Sequence, residues 1–230
     1  MSEVQRPRHR AVLAALRALD AAFLARCECF FGGGTRIVLA LDEYRESADI
    51  DFLCASRDGY RTLRSAVSDV SLGRIAKPGL KLAREVMADR YGIRTFVESA
   101  GERIKLEIIL EGRIALTGER VPEAPVRVLD RASCCAEKYL ANADRWNDES
   151  VLGRDMIDLA FMAARWGRAP LAAGCDTAID AYGKVIVTAA RRAATKMLER
   201  ATWRRHCVAA LAVDDTRTLL SGLRMVVAVC

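Results

Sequence analysis

Long apolar segments are absent from this sequence of 230 residues. No apolar run approaches the ~18 residues that a membrane-spanning helix needs, and residues 1–7 lack the hydrophobic stretch of a secretion signal. Internal repeats and low-complexity segments are absent as well. These absences argue against a membrane-spanning protein and a repeat architecture, and they favour a cytoplasmic protein.

Histidine is scarce, with two residues against eight cysteines. One residue separates Cys27 from Cys29, and Cys134 directly precedes Cys135, so neither pair has the two-residue gap of common zinc sites. We therefore expect no structural zinc. In a cytoplasmic protein the cysteines should be reduced, several of them buried as small apolar side chains, with Cys230 exposed at the end of the sequence.

Acidic residues are outnumbered, with 30 Asp and Glu against 36 Lys and Arg, for a formal net charge of +6. This moderate excess favours a polyanionic substrate without identifying it. Basic residues recur at every fourth position near the C-terminus, which predicts a cationic helix face that binds RNA phosphates, with Trp203 stacking on a base. The alternative is a solvated face with Trp203 in the core. The residues of this face are Arg192, Lys196, Arg200 and Arg204.

A glycine turn is the first feature that indicates chemistry. Gly33, Gly34 and Thr35 follow an apolar, strand-like run and precede a helix-like one. Glycines allow a close backbone approach, and the free N–H groups at a helix N-terminus favour a bound phosphate. Arg36 stands where a P-loop would have its closing Lys-Ser or Lys-Thr pair, so a P-loop ATPase is disfavoured.

Two carboxylates follow the glycine turn. Asp49 and Asp51 alternate with apolar residues, so in a strand both point to one face, where a Mg²⁺ or Mn²⁺ ion would relieve their repulsion. Glu107, in a second alternating run, is the candidate third ligand. The alternative for Glu107 is an exposed strand residue that pairs with Lys105 or Arg103.

A third motif combines basic and acidic helix positions. Lys138, Asn142 and Arg145 are spaced to share one helix face, suited to a triphosphate, a base edge and a phosphate. Asp155 and Asp158, three residues apart on the next predicted helix, are placed to pair with this face. The alternative is a pair of solvated helix faces joined by surface salt bridges.

The sequence is predicted to divide near residue 130. Upstream, strand-like runs mix with helices, and Pro122 and Pro125 lie in a linker or turn. Downstream, the pattern is helical throughout, with breaks at Gly167, Pro170 and Gly174. This predicts a nucleotide-binding domain over 1–130 and a helical domain over 131–230. One amphipathic helix near the N-terminus is predicted to carry Val12, Leu16, Leu19 and Phe23 on its apolar face.

Together these motifs resemble the polymerase-β-like nucleotidyltransferase superfamily and, within it, the AbiEii/AbiGii-type toxin family. The resemblance rests on residues 33–35, on 44–52 with their Arg-x-Ser-x-Asp-hydrophobic-Asp pattern, and on 137–145 followed by 154–159. It covers roughly residues 28–165. Glu107 stands where the superfamily usually has a third aspartate, and Arg154 replaces a lysine found in many family members.

The resemblance implies an α+β fold in which a mixed sheet flanked by helices precedes a helical domain that contributes nucleotide and acceptor contacts. It implies an enzyme that moves a nucleoside monophosphate from ATP, GTP, CTP or UTP to a hydroxyl and releases pyrophosphate. The acceptor would be RNA, such as a tRNA 3′ end, and the protein would be the toxin of a type IV toxin–antitoxin or abortive-infection system with an antitoxin partner.

The implied site residues fall into three groups. The catalytic residues would be Asp49, Asp51, Glu107, Lys138 and Asp155. The metal ligands would be Asp49, Asp51 and Glu107. The nucleotide-binding residues would be Gly33, Gly34, Thr35, Arg45, Ser47, Lys138, Asn142, Arg145 and Asp158.

Three other functions use the same motifs: a small-molecule nucleotidyltransferase of the antibiotic type, a protein-modifying nucleotidyltransferase or kinase, and a non-catalytic module that binds a nucleotide or an antitoxin. Base preference and oligomeric state are not encoded in any pattern of the sequence.

Overall fold

The computed structural model describes residues 4–229 and has the predicted α+β fold. The expected exposure of Cys230 therefore lies outside the described residues. The chain forms two compact units. The first comprises the chain up to Ala40 together with Ser47–Leu129, and the second comprises Leu41–Glu46 together with the chain from Asp130 onward.

The first unit contains a mixed β-sheet with the strand order β3-β5-β6-β2-β1-β8-β7, in which β4 also pairs with β5. Its strands are β1 (Cys29–Gly32), β2 (Ile50–Cys54), β3 (Lys81–Leu82), β4 (Met87–Ala88), β5 (Gly92–Ser99), β6 (Glu102–Leu110), β7 (Gly118–Glu119) and β8 (Val128–Leu129). Its helices are α1 (Pro7–Arg17), α2 (Ala21–Arg26), α3 (Gly33–Ala40) and α4 (Arg57–Ser65).

The central strands follow the predicted alternation of apolar and polar residues. In β2, Ile50 and Phe52 are fully buried, and in β6, Leu106 and Ile108 are fully buried. Burying each such side chain contributes roughly 1.5–3 kcal/mol, so a register slip that turned these residues to the other face would be costly. The core therefore fixes which residues of β2 and β6 lie on the opposite face.

The predicted single helix near the N-terminus is wrong, because two helices are present. Helix α1 ends at Arg17, and the side chain of Asp20 accepts a hydrogen bond from the backbone N–H of Phe23 at 2.8 Å, which caps a new helix, α2. Leu19 lies between them and forms an isolated β-bridge with Ala76. The four apolar residues are nevertheless all buried, as their spacing suggested: Val12, Leu16, Leu19 and Phe23.

The second unit is helical. Its helices are α5 (Arg131–Arg145), α6 (Arg154–Trp166), α7 (Arg168–Tyr182), α8 (Val185–Glu199), α9 (Ala201–Ala210) and α10 (Thr216–Val229). The short segment Leu41–Glu46 belongs to this unit through backbone hydrogen bonds. The Glu46 N–H donates to the Leu211 carbonyl, and the Asp214 N–H donates to the Tyr44 carbonyl, both at 3.0 Å.

Only one of the three predicted helix breaks in this unit is correct. Gly167 separates α6 from α7, with a φ of +85°. Pro170 lies in the first turn of α7, where a missing N–H costs no intrahelical bond. Gly174 lies inside α7, where a Cβ would come within 2.5 Å of the Cβ of Cys135, so glycine allows α5 and α7 to pack closely.

The seven cysteines among the described residues are buried, and none of them forms a disulfide bond. Within residues 4–229, no helix combines the length and the apolar character needed to cross a membrane.

Candidate active site

The glycine turn lies directly beside a carboxylate of the first unit. Gly32 ends β1 and pairs with Asp51 of the antiparallel strand β2, and Gly33 begins α3 with a φ of +68°. A Cβ on Gly33 would stand 2.3 Å from Oδ2 of Asp51. Glycine is therefore required both by the backbone conformation and by the approach of the turn to Asp51.

The hydroxyls near this turn form a short hydrogen-bond chain. Oγ1 of Thr35 lies 2.9 Å from Oγ of Ser47, and the backbone N–H of Ser47 donates to Nε2 of His9 at 3.2 Å. Thr35 and His9 are both fully buried. Thr35 and Ser47 were predicted from their motifs, whereas His9 was not, because no local pattern links α1 to the segment before β2.

The predicted metal ligands occupy neighbouring positions with different exposure. Asp51 on β2 lies opposite Glu107 on the parallel strand β6. Asp49 precedes the first residue of β2 and is exposed, whereas Asp51 is half-buried. Among residues 4–229, no group of three or more His, Cys, Asp or Glu side chains is arranged to hold a metal ion. Asp49, Asp51 and Glu107 therefore do not form a ready three-carboxylate cluster in this structure.

Glu107 is engaged in ion pairs. Its Oε1 lies 3.2 Å from Nε of Arg94 on β5, and its Oε2 accepts a hydrogen bond from Nζ of Lys105. Pairing with Lys105 was one of the two interpretations open for this residue. Arg103, the other partner considered, stacks on the ring of Phe96 at 4.4 Å.

The donor set of Asp49 and Asp51 suits a magnesium ion. Mg²⁺ prefers hard oxygen ligands and is usually held by one or two carboxylates plus substrate phosphates. The clash that any side chain on Gly33 would make with Asp51 shows that backbone alone separates the turn from this carboxylate. A phosphate bound at the turn would thus lie close to Asp51, whereas Glu107 would have to exchange its ion-pair partners to join a metal.

The second unit contains a buried ionic cluster built from two carboxylates on α6. Arg45 forms a two-pronged pair with Asp158, with Nε to Oδ1 at 2.7 Å and Nη2 to Oδ2 at 2.8 Å. Tyr44 donates its hydroxyl to the same carboxylate at 2.5 Å. Arg45, predicted as a nucleotide ligand, is therefore committed to Asp158, and its side chain is 4% exposed.

The remaining members of the ionic cluster come from α5. Nζ of Lys138 lies 2.7 Å from Oδ2 of Asp158 and 2.9 Å from Oδ1 of Asp155. Nε of Arg145 donates to Oδ2 of Asp155 at 2.7 Å. The interpretation of these helix faces as solvated surface is thus wrong, because Lys138 and both carboxylates are buried. The side chain of Arg145 is the most exposed of the cluster, at 35%.

The electrostatics keep every member of the cluster charged at neutral pH. Burial by itself would raise the pKa of Asp158, but the charges of Arg45 and Lys138 outweigh it and hold the pKa below its usual value. Burial would also raise the pKa of Asp155, but the charges of Lys138 and Arg145 have the larger effect, so this pKa is low as well. Conversely, the two carboxylates raise the pKa of Lys138 against its burial. Three cations face these two carboxylates, and the charge of Asp144 also acts on Arg145, where it helps to raise the pKa.

Asn142 lies one helical turn beyond Lys138 on α5. It is 2% exposed, and its Nδ2 has no hydrogen-bond partner among residues 4–229. A buried amide donor without a partner costs free energy unless a ligand supplies an acceptor. The predicted contact of Asn142 with a base edge would supply one.

The predicted cationic face does not lie on a single helix. Helix α8 ends at Glu199, and Arg204 belongs to α9, where its Nη1 donates to the carbonyls of Met197 and Leu198 at 2.7 and 2.9 Å. Arg204 therefore caps the end of α8, and its prediction as a member of one continuous face is wrong. The regular four-residue spacing concealed the break at Arg200.

The other basic residues of α8 border a cleft of about 450 Å³. Lys196 pairs with Oε1 of Glu149 at 3.0 Å and lies 4.7 Å from the ring centre of Trp203. Arg192 lies over the ring of Trp146 at 5.9 Å. The lining residues are Trp146, Asn147, Glu149, Arg191, Arg192, Thr195, Lys196, Glu199 and Arg200.

Two solved structures share this fold. A protein from H. pylori assigned as a nucleotidyltransferase has a TM-score of 0.57 at 17% identity, over 96% of this chain and 92% of that one. MenT4, a nucleotidyltransferase toxin from Mycobacterium tuberculosis H37Rv, has a TM-score of 0.52 at 15% identity, over 97% of this chain and 85% of that one. Curated proteins give no significant sequence match.

One family model matches residues 14–218, and its description is nucleotidyl transferase AbiEii toxin of type IV toxin–antitoxin systems. The match spans the glycine turn, the Asp49 and Asp51 pair and the ionic cluster. It confirms the family indicated by the motifs. The chain therefore belongs to the AbiEii family of nucleotidyltransferase toxins.

Proposed function

We propose that this toxin transfers a nucleoside monophosphate from an NTP to a hydroxyl of RNA, such as a tRNA 3′ end, and releases pyrophosphate. The observation that supports this most directly is the approach of Gly33 to the carboxylate of Asp51, where a Cβ would stand 2.3 Å from Oδ2. A phosphate-binding turn beside a carboxylate is the arrangement that metal-assisted phosphoryl chemistry needs.

Each residue of the first unit has a distinct role in this proposal. The N–H groups at the start of α3 hold phosphate oxygens, and the buried hydroxyl of Thr35 supports the turn through its hydrogen bond with Ser47. Asp49 and Asp51 would hold Mg²⁺, or Mn²⁺ in its place, and Glu107 would serve as a third ligand only if it exchanged its ion pairs with Arg94 and Lys105. When bound, the metal ion neutralises phosphate charge and lowers the pKa of a hydroxyl bound to it.

In this proposal the second unit provides positive charge from the ionic cluster and a hydrogen-bond donor from Nδ2 of Asn142. Arg145 is the most exposed member of the ionic cluster. We propose that Lys138 and Arg145 stabilise an anion, either a phosphate of the nucleotide or one of the acceptor, with Asp155 holding both cations in place. Asp158 holds Lys138 through an ion pair at 2.7 Å, and Asp158 is itself held by its two hydrogen bonds from Arg45.

The cleft bordered by α8 is the proposed binding surface for acceptor RNA. Four cations line it against two carboxylates, Glu149 and Glu199. Phosphates of a single strand would bind these cations. The four cations are Arg191, Arg192, Lys196 and Arg200.

The experiment combines the purified protein with Mg²⁺, each of four α-³²P-labelled NTPs, and either total bacterial RNA or none. We expect label on a tRNA-sized band with one or more NTPs, together with released pyrophosphate. Label on the protein itself would instead support protein modification. Nucleotide binding without released pyrophosphate would support a non-catalytic module. Activity that appears only with small hydroxylated compounds would support an antibiotic-type enzyme.

As a member of a toxin–antitoxin family, the protein has an antitoxin as its expected partner. Expression of the wild-type chain in a bacterial host should slow growth, and co-expression of its cognate antitoxin should restore it. Growth inhibition that persists when both Asp49 and Asp51 are replaced by Asn would show that toxicity does not depend on transfer.

A further inference from the structure

One buried titratable side chain of the first unit has no role in the site as described so far. His9 lies on α1, is 0% exposed, and precedes the segment 14–218 that matches the family model. Because His9 lies outside the matched segment, the family match assigns it no function. Its Nε2 is nevertheless hydrogen-bonded to the segment that leads into the carboxylates.

The direction of this hydrogen bond is fixed by chemistry. The partner of Nε2 is the backbone N–H of Ser47 at 3.2 Å, which can only donate. Nε2 therefore accepts this hydrogen bond with its lone pair. The side chain at position 9 must therefore be long enough to bring an acceptor atom to the Ser47 N–H.

Ser47 is the residue at which the chain returns to the first unit after the segment Leu41–Glu46. It stands two residues before Asp49, and β2 begins one residue beyond that, at Ile50. The backbone between Ser47 and Asp49 contains no strand hydrogen bonds. A fixed amide at Ser47 therefore sets where this segment begins.

The same residue connects His9 to the glycine turn. Oγ of Ser47 lies 2.9 Å from Oγ1 of Thr35, which is itself fully buried in the first turns of α3. On the other side, α1 is firmly placed, because Val12 is buried in the core and Oγ of Ser99 on β5 donates to the Ala11 carbonyl at 2.8 Å. The chain of contacts runs from the core through His9 and Ser47 to Thr35.

We propose that His9 is a positioning residue of the nucleotide site, which orients Ser47 and, through it, the Thr35 hydroxyl and the carboxylate of Asp49. This inference rests on the proposed function, because it assumes that NTP binds at the glycine turn. His9 touches neither the nucleotide nor the reacting atoms. Its effect is transmitted through the hydrogen bond that its Nε2 accepts from the backbone N–H of Ser47.

The test compares three replacements of His9. In H9Q the amide oxygen replaces Nε2 as acceptor, whereas H9L removes the acceptor and H9N is too short to reach Ser47. Val12→Ala, one turn along the same helix, loosens α1 without touching the hydrogen-bond chain. All variants are compared below their unfolding midpoints, for equilibrium binding of Mg-NTP and for kcat and KM.

We expect H9L and H9N to weaken NTP binding and to raise KM by about tenfold or more, which is the scale of one lost buried hydrogen bond. H9Q should stay within about threefold of wild type, and Val12→Ala should lower thermal stability with little change in KM. If H9L does not fold, the comparison of KM between H9N and H9Q tests the inference. Equal KM values in H9N, H9Q and wild type would overturn the inference.

A double-mutant cycle separates this role from simple core packing. Ser47→Ala keeps the backbone N–H and removes the link to Thr35, so in that background H9L should cost clearly less than it does alone. Fully additive losses would overturn the inference. A wild-type protein that binds no NTP at all would overturn the proposed function and the inference together, whereas active wild type with unaffected H9L would overturn the inference alone.

Discussion

Gly33 is the residue on which the proposed phosphate site depends most. Its φ of +68° and the 2.3 Å approach of a Cβ to Asp51 leave no room for a side chain. Gly33→Ala should therefore displace either the turn or the carboxylate. We expect a loss of stability of about 1–2 kcal/mol from the backbone conformation and the clash, and a fall in transferase activity of about a hundredfold.

Gly101 provides the matched control for this replacement. It has a φ of +79° in the turn between β5 and β6, and a Cβ there would meet nothing within 4 Å. Gly101→Ala should therefore show the conformational cost alone, with unchanged activity. Thermal unfolding measures the loss of stability in both variants, and pyrophosphate release measures their activity. Equal activity in the two variants would contradict the role of Gly33.

Gly33 and Asp51 could be linked from the sequence because they are close in the chain. Gly33 precedes Asp51 by one helix and a short segment, and their strands are adjacent and antiparallel, so spacing alone suggested the contact. Arg94, by contrast, reaches Glu107 only because β5 pairs with β6 in a particular register. The contact of His9 with Ser47 depends on how α1 packs, which no local pattern encodes.

Among the elements, α5 and α6 are held together by the ionic cluster, and this predicts an acid limit to stability. The folded pKa values of Asp155 and Asp158 lie below the unfolded value near 3.9. Their contribution to the free energy of unfolding is thus present above about pH 4 and is lost as pH falls through the folded values. The raised pKa of Lys138 has the opposite sign, so its contribution is lost only as pH rises above its ordinary value near 10.4.

Asp158→Asn tests this account. Removing one partner of a buried ion pair leaves an uncompensated cation and costs roughly 3–5 kcal/mol. We expect that loss at pH 7 in urea unfolding followed by circular dichroism, and a weaker acid dependence than in wild type. Asp176→Asn, at an exposed position on α7, should change stability by less than about 0.5 kcal/mol. If the stability of Asp158→Asn falls as steeply with acid as that of wild type, the acid dependence does not come from Asp158.

The cleft bordered by α8 yields a prediction about RNA. Arg192→Glu combined with Arg200→Glu should weaken binding of a single-stranded RNA by about tenfold or more. Because counterion release gives a slope of roughly −0.7 per phosphate contact, the slope of log K against log salt should become shallower by about 1–2. Filter binding over a series of salt concentrations measures both quantities.

The control keeps the change in net charge constant. Arg61→Glu with Arg64→Glu alters two exposed residues of α4 by the same charge. We expect nearly unchanged RNA affinity and salt slope in this variant. If both double variants weaken RNA binding equally, the effect is one of net charge, and the cleft has no special role.

Element boundaries were the least predictable part of the sequence, for physical reasons. Periodic apolar residues continue from α1 into α2, and the cap provided by Asp20 gives the only local sign of a break. Gly174 looks like a break, yet it lies within α7 because Cys135 packs against it. Arg204 continues the spacing of α8 but belongs to α9. In each case a tertiary contact or a cap outweighed the periodic pattern.

At the scale of the whole molecule, the sequence was sufficient to predict the fold class and the family. The family model matches residues 14–218, and a solved structure with 15% identity shares the fold over 97% of this chain. The segment Leu41–Glu46 was not foreseen as part of the helical unit. Its assignment depends on hydrogen bonds from residues more than 160 positions apart, between Glu46 and Leu211.

The central claim is that Asp49 and Asp51 make this toxin a metal-dependent transferase. The most direct measurement is pyrophosphate released per enzyme from NTP, Mg²⁺ and RNA, by wild type and by Asp49→Asn combined with Asp51→Asn. The account predicts turnover in wild type, at least a thousandfold less in the double variant, and matching thermal unfolding, because neither carboxylate packs in the core. Retained turnover in a folded double variant would contradict the account.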